Sequence, residues 1–251
     1  MENKKIIYYE QLDSTNTRLI DLASHGAEHG TVVVAKEQTA GKGRRGRLWE
    51  SKDEGNIYMS MLVRPDIPVS HAPMLTLVMA YSVALVLKKQ GFDRVKIKWP
   101  NDLILSNKKV CGILTEMFLK ENQVDYVVIG VGVNVNASKF SHELEDKATS
   151  LYLESGETKD IRPIIEDIAD VFAEQYEKFL HVGDLSFLQT EYNQMLINQD
   201  REVVIVEKEQ EYRAQALGIN EKGELLVQTV NGNTQAIYAG EVSVRGVYGY
   251  V

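Results

Sequence analysis

Apolar positions along the chain recur with two different periods. Between Thr15 and Ser24, and again over residues 163–180, they return every three to four positions, the second run aligning Ile165, Ile168, Phe172, Tyr176 and Phe179. That spacing predicts amphipathic helices. Asp13 and Ser14 are N-cap candidates for the first helix, Gly26 is placed to end it, and Pro163 suits the opening turn of the second. Residues 73–89, with Leu75, Val78, Val83 and Val86, are apolar nearly all round and predict a largely buried helix. Runs at 6–9, 31–36, 56–63, 95–98 and 125–136 are short and rich in β-branched residues, which predicts strands. Segments 103–105 and 110–119 flank Ser106-Asn107-Lys108 and predict a hairpin. Pro100-Asn101-Asp102 signals a turn just before it.

After about Asp200 the character changes. Short alternating runs from Glu202 onward are interrupted by Asn220-Glu221-Lys222-Gly223 and by Asn231-Gly232-Asn233, and Asn-Gly between strand-like segments is a strong hairpin signal. The expected fold class is therefore α+β: a mixed β-sheet domain with helices packed on it over 1–188, then a small β-barrel domain over 200–251.

Composition adds limits rather than identity. The 251 residues carry 28 Lys+Arg against 36 Asp+Glu, a net charge of -8, with 44% hydrophobic and 25% charged residues, as in ordinary globular proteins. One cysteine, Cys111, excludes an intramolecular disulfide and suits a reducing compartment. The opening Met1-Glu2-Asn3-Lys4-Lys5 has no signal-peptide character, and the longest nearly apolar stretch, 74–87, is shorter than the ~20 residues of a membrane span. A cytoplasmic protein without membrane attachment is expected. The five histidines show no metal-binding spacing, so no protein metal site is expected.

Against this acidic background, Gly41-Lys42-Gly43-Arg44-Arg45-Gly46-Arg47 packs four cations and three glycines into seven residues. Such a loop suits an anion, with a nucleotide the first candidate. A solvated surface turn and a nucleic-acid patch are the alternatives, and the overall acidity weighs against the second.

Six segments, in order, resemble the biotin protein ligases (biotin–acetyl-CoA-carboxylase ligases). They are Asp13-Ser14-Thr15-Asn16, then Gln38-Thr39-Ala40 leading through the cationic loop to Leu48-Trp49, and Lys98-Trp99-Pro100-Asn101-Asp102. Lys109-Val110-Cys111-Gly112-Ile113-Leu114, Gly130-Val131-Gly132-Val133-Asn134 and Gly240-Glu241-Val242-Ser243-Val244-Arg245 complete the set. Lys42 departs from the arginine more common in the family, keeping the charge without the bidentate fork. The first motif begins at Asp13, so the monofunctional form is expected, without the helix-turn-helix of the bifunctional members and without DNA-binding repressor activity. For the small domain the resemblance implies an SH3-like barrel.

The resemblance implies two steps in one site, with biotin and ATP as substrates and Mg2+ on the phosphates. The biotin carboxylate attacks the α-phosphorus of ATP to give biotinyl-5′-AMP, and a lysine of a biotin carboxyl carrier protein then takes the biotin. Lys109, Arg44 and Asp102 are the implied catalytic residues. Lys109 stabilises charge between carboxylate and α-phosphate, and Asp102 is the candidate base, its alternative being a turn-capping aspartate. Biotin is expected at Ser14, Thr15, Asn16, Gln38, Gly41, Lys42, Arg44, Lys109, Gly112 and Gly130. Helix capping is the competing role for Ser14 and Thr15. ATP and the adenylate are expected at Arg44, Arg45, Arg47, Trp49, Asn101, Lys109, Gly132, Asn134 and Arg245, with an ion pair to Glu241 the alternative for Arg245. Trp99 is expected in the core, and Cys111 as a small buried hydrophobe near Lys109. Acceptors are the carrier subunit of acetyl-CoA carboxylase and of other biotin-dependent carboxylases, and the ligase is expected to be a monomer or weak homodimer. The rival readings are a lipoate ligase or octanoyltransferase, and a non-enzymatic nucleotide sensor. A sensor has no use for Lys109 at a reacting centre.

Overall fold

A computed structural model describes residues 4–51, 55–207, 210–239 and 243–246. Its first unit is a seven-stranded sheet. The strands are β1 (Lys5–Leu12), β2 (Thr31–Gln38), β3 (Ile57–Val63), β4 (Lys96–Lys98), β5 (Asp102–Leu105), β6 (Lys108–Lys120) and β7 (Gln123–Val133), in spatial order β1-β2-β3-β7-β6-β5-β4. Only β1 and β2 run parallel, joined by helix α1 (Thr15–Ser24), and every other neighbouring pair is antiparallel. The sheet is thus mixed, as expected.

Period-two alternation divides the sheet into two faces. Val32, Val34, Met59, Met61, Ile129 and Val131 point into the main core beneath α2 (Met74–Lys89) and α4 (Ile161–Val182). The opposite face carries Val33, Leu62, Tyr126 and Val128, which pack with Leu19 and Ala23 of α1. One short helix cannot cover that whole face. Beyond it the same alternation brings up Ser60 and Tyr58 on β3 and Gly130 and Gly132 on β7. Small side chains where a helix would otherwise sit leave the sheet open there, and the candidate site lies on that uncovered end.

Twelve of the sixteen α2 residues are buried, which accounts for its near-uniform apolarity. The stretch Val69–Lys89 is apolar and long enough to span a membrane, yet most of it lies inside the protein. For α4, the Asp160 side chain accepts the Arg162 N–H at 3.0 Å and Gly183 closes the helix at φ 86°. Two short helices, α3 (Leu151–Ser155) and α5 (Gln189–Met195), have too few turns for a readable period.

The second unit is an antiparallel sheet of β8 (Glu202–Glu207), β9 (Gln210–Ile219), β10 (Leu225–Thr229), β11 (Thr234–Ile237) and β12 (Ser243–Gly246), in order β11-β10-β9-β8-β12. Among the described residues β11 and β12 do not pair, so the sheet is open where a closed barrel was expected. It docks firmly on the first unit. Trp99, 2% exposed, donates its indole N–H to Gly223 O at 3.0 Å, and a side chain at Gly223 would strike Leu185 and Leu77.

Candidate active site

The cleft is floored by the open end of the sheet, walled by the N-terminus of α1, and covered by residues 41–49. Its floor is set by glycines in register. Gly112 on β6 lies opposite Gly132 on β7, which lies opposite Tyr58 on β3, and the next row reads Leu114, Gly130, Ser60. A Cβ at Gly130 would collide with Asn16 Oδ1, and one at Gly132 would sit 2.6 Å from the Trp49 indole. These glycines therefore permit close approach of the Asn16 and Trp49 side chains to the sheet.

Ser14, Thr15 and Asn16 enter the cleft from the start of α1. Ser14 occupies the N-cap position, but its hydroxyl makes no capping hydrogen bond. Thr15 donates its backbone N–H to Gln38 Oε1 at 2.8 Å. Gln38 Nε2 donates to Ser51 Oγ at 3.0 Å, and Ser51 Oγ donates to Trp49 O at 3.1 Å. Asn16 Nδ2 donates to Glu116 Oε2 at 2.7 Å and lies 3.3 Å from Leu114 O. Ser60, fully buried, lies 2.5 Å from Asn16 Oδ1 and 2.8 Å from Thr15 Oγ1. Neither Ser60 nor Glu116 stood out in the sequence. The available signal was a lone hydroxyl in the middle of an apolar strand, Ile57–Val63.

Lys109 projects into the cleft because β6 breaks its alternation. Leu103 pairs with Cys111 but Ile104 pairs with Lys109, so Val110 is the extra residue of a bulge. Val110 and Cys111 both enter the core, while Lys109 and Gly112 share the cleft face. The simple alternation that would put Lys109 beside Cys111 does not hold here. Cys111 is fully buried, and burial pushes its thiol far above the ordinary range, consistent with a packing role. Lys108 instead points outward and donates to Glu145 O at 2.7 Å. Lys109 Nζ is 2.7 Å from Asp102 Oδ1 and 5.2 Å from the Trp49 ring centroid. Asp102 is the first residue of β5, and its carboxylate contacts Lys109 and accepts from Asn101 Nδ2.

The loop folds back on itself. Gly43 N–H donates to Arg47 O at 2.7 Å, Trp49 N–H to Gly41 O at 2.9 Å, and Lys42 bridges Leu48. A Cβ on Gly41 would lie 2.5 Å from Trp49 O, so only glycine fits there. Arg44 turns inward, donating to Asn101 Oδ1 at 2.8 Å and to Ala239 O of the second unit at 2.7 Å. Burial draws its guanidinium below the usual arginine range, Asp102 opposing that shift and Arg45 and Arg47 adding to it. Asn101 Nδ2 donates to Asp102 Oδ1 and Ile113 O, both at 3.1 Å. Arg45, at φ 59°, and Arg47 are exposed outside the lining. Trp49 lies on the shelf made by Gly112 and Gly132, its buried indole N–H without a partner among the described residues. With the indole there, the cleft has only about 50 Å3 of room, against the roughly 300–1,000 Å3 of small-molecule sites.

Of the residues singled out by sequence, Ser14, Thr15, Asn16, Gln38, Lys42 and Arg44 line one cleft together with Trp49, Asn101, Lys109, Gly112, Gly130 and Gly132. Gly41 and Asp102 stand directly behind that lining. Asn134 does not reach it: its buried amide donates to Thr149 O at 3.0 Å, tying the end of β7 to the chain before α3. Arg245 lies on β12, but its side chain, like residues 240–242, falls outside the described residues. No cluster of three potential metal-ligating side chains occurs among the described residues.

A family model for the Biotin/lipoate A/B protein ligase family matches residues 8–134, and one for the Biotin protein ligase C terminal domain matches residues 200–245. The chain is 36% identical over 243 residues to the bifunctional ligase/repressor BirA of Bacillus subtilis, covering 95% of this chain and 74% of that protein. It is also 36% identical over 166 residues to the biotin–[acetyl-CoA-carboxylase] ligase of Paracoccus denitrificans, or 64% of this chain and 68% of that one. The solved biotin protein ligase of Aquifex aeolicus in complex with biotin and ATP matches with a TM-score of 0.86 and 31% identity, over 97% of this chain and 100% of that one. A floor of opposed glycines, an inward lysine and a cationic loop accompany those likenesses, and the chain belongs to the biotin/lipoate A/B protein ligase family, as one of its biotin protein ligases.

Proposed function

We propose that this cleft joins biotin to ATP and then passes the biotinyl group to a lysine of a biotin carboxyl carrier domain. The observation that carries the reading is the placement of Lys109 Nζ in the cleft, between a neutral hydrogen-bonding end and a cationic loop. In the first step a carboxylate oxygen of biotin bonds to the α-phosphorus as the bond to pyrophosphate breaks. Two anions must meet, and a fixed cation between them lowers the cost most where charge builds up. Lys109 supplies that charge, and Arg44, held on two sides, supplies a second. The Gly112–Gly132 shelf accepts a flat ring, so we assign it to the nucleotide, with Lys42, Arg45, Arg47 and Arg245 serving the phosphates. We assign Mg2+ to the nucleotide phosphates, where it neutralises charge.

In the second step the acceptor amine attacks the acyl carbon of biotinyl-5′-AMP, AMP leaves, and the amine loses a proton. At pH 7 a lysine of reference pKa about 10.4 is only ~0.04% neutral, a penalty of roughly 4.6 kcal/mol. Asp102, beside Lys109, is the carboxylate best placed to take that proton. The acceptor enters along the groove between α2 and β11, lined by Thr76, Pro100, Met117 and Tyr238. We assign catalysis to residues 1–188 and a supporting role to residues 200–251, in the cytoplasm, with carrier domains rather than DNA or membrane as the partner of this site.

Biotin-dependent ATP–pyrophosphate exchange on purified protein tests the proposal, with lipoate and octanoate alongside. Exchange with biotin alone is expected. Exchange with lipoate only would transfer the chain to the lipoate branch of the family, and none with any acid would leave Lys109 without a reaction to serve.

A further inference from the structure

The polar chain behind the floor can be resolved by counting protons. Four oxygens lie in sequence: Asn16 Oδ1, Ser60 Oγ, Thr15 Oγ1 and Gln38 Oε1, with gaps of 2.5, 2.8 and 3.1 Å. Both ends are acceptors. Gln38 Oε1 receives the Thr15 backbone N–H, which can only donate. Asn16 turns Nδ2 toward Glu116 Oε2 and Leu114 O, two acceptors, which leaves its Oδ1 facing Ser60. Between the ends stand two hydroxyls with one proton each, so three gaps share two protons.

The shortest gaps need protons most, because two oxygens that close repel without one. Ser60 therefore donates to Asn16 and Thr15 donates to Ser60. The 3.1 Å gap between Thr15 Oγ1 and Gln38 Oε1 is left with two acceptor oxygens and no hydrogen, and both residues line the cleft. That notch calls for an N–H from a ligand. Glu116 makes the shorter of the two contacts that set the direction of the chain, the Leu114 carbonyl making the other. As a carboxylate Glu116 can only accept, so it helps to fix the Asn16 amide and, through Ser60, the Thr15 hydroxyl.

We propose that Glu116 is a positioning residue for the ring N–H of biotin, keeping the notch an acceptor through the three side chains, Asn16, Ser60 and Thr15, that separate it from the ligand. The inference rests on the biotin reading above. Glu116→Gln loosens the constraint: the new side-chain amide can donate to Asn16 and reverse its amide, opposed only by the longer contact to the Leu114 carbonyl. Protons shift along the chain until Thr15 donates to Gln38 and the notch is satisfied without ligand.

The test is calorimetric biotin binding to the full chain, compared with a biotin analogue whose ring nitrogens are methylated, with thermal melting and ATP binding as controls of folding. Wild type should bind biotin and discriminate strongly against the analogue. Glu116→Gln should weaken biotin about tenfold or more, reduce that discrimination, and leave ATP binding and melting close to wild type. Asn16→Asp alone sets two carboxylates against each other and should also weaken binding. The double variant Glu116→Gln with Asn16→Asp restores an acceptor facing Ser60 and should recover biotin affinity to within about threefold, which a merely structural role does not predict. Unchanged biotin affinity in Glu116→Gln overturns the proposal, as does a double variant no better than either single one. Absence of biotin binding in wild type would instead remove the ligand reading on which it stands.

Discussion

The two ends of the cleft solve recognition in opposite ways. Around Thr15, Ser60 and Asn16 the side chains are buried, and with the half-buried Gln38 they are held by partners anchored on α1, β2, β3 and β6. Around residues 42–47 the cations sit on one short loop, and Lys42, Arg45 and Arg47 are exposed. A neutral ring offers a few directional hydrogen bonds, so the protein must hold the matching groups in advance. A polyphosphate attracts through space, and solvated cations that move little charge out of water can gather it at small cost. Arg44 stands between these regimes, being drawn inward by Asn101 and Ala239.

The largest effect should come from removing the group both ends share. Lys109→Ala is expected to cut biotin-dependent exchange by about 10²–10³-fold, as for other single charge-stabilising groups, while ATP affinity, measured by calorimetry, stays near wild type. Next, paired glycine variants separate the ends. Gly130→Ala pushes a methyl against Asn16 and should raise the Kd of biotin about tenfold, leaving ATP nearly untouched, whereas Gly132→Ala should do the reverse through the shelf. If both variants impair both ligands equally, the two ends are not separate. Arg47→Ala should be milder, a few-fold rise in KM for ATP that shrinks as salt rises, read from exchange rates at two ionic strengths.

The smallest effect lies outside the cleft and bears on stability alone. His29 Nδ1 accepts the Arg64 backbone N–H, and burial, aided by the Arg64 charge, lowers its pKa. The folded protein therefore binds fewer protons here than the unfolded chain. Its contribution is complete above about pH 6.5 and is lost as pH falls below that. Melting temperature measured from pH 8 to pH 5 should drop less steeply in His29→Gln.

How much of this was legible in the sequence depended on how local the cause was. Helix α1 announced itself through its period and Gly26, and β3 and β7 through their β-branched and apolar runs. The cleft lining was legible as motifs, because its glycines and cations fall in short runs of unusual composition that the fold brings to one cleft. What the chain did not disclose depends on pairing across strands. The bulge at Val110 follows from register with β5, and no pattern within 108–120 marks it. Glu116 reads as one more solvent-facing acid until Asn16 is found against it, 100 residues away. Asn134 belongs to a motif, yet its amide is engaged in holding Thr149.

The indole on the glycine shelf has a thermodynamic consequence. On the nucleotide assignment proposed above, a ring entering there takes the place of a tenant, so its measured affinity is its intrinsic affinity multiplied by the fraction of molecules in which Trp49 has already stepped aside. The tenancy is an uneasy one. The Trp49 N–H is buried with no acceptor among the described residues, a cost of about 1–3 kcal/mol that release returns. On that assignment, the grip on the ring is set in part by how comfortably the Trp49 side chain sits there.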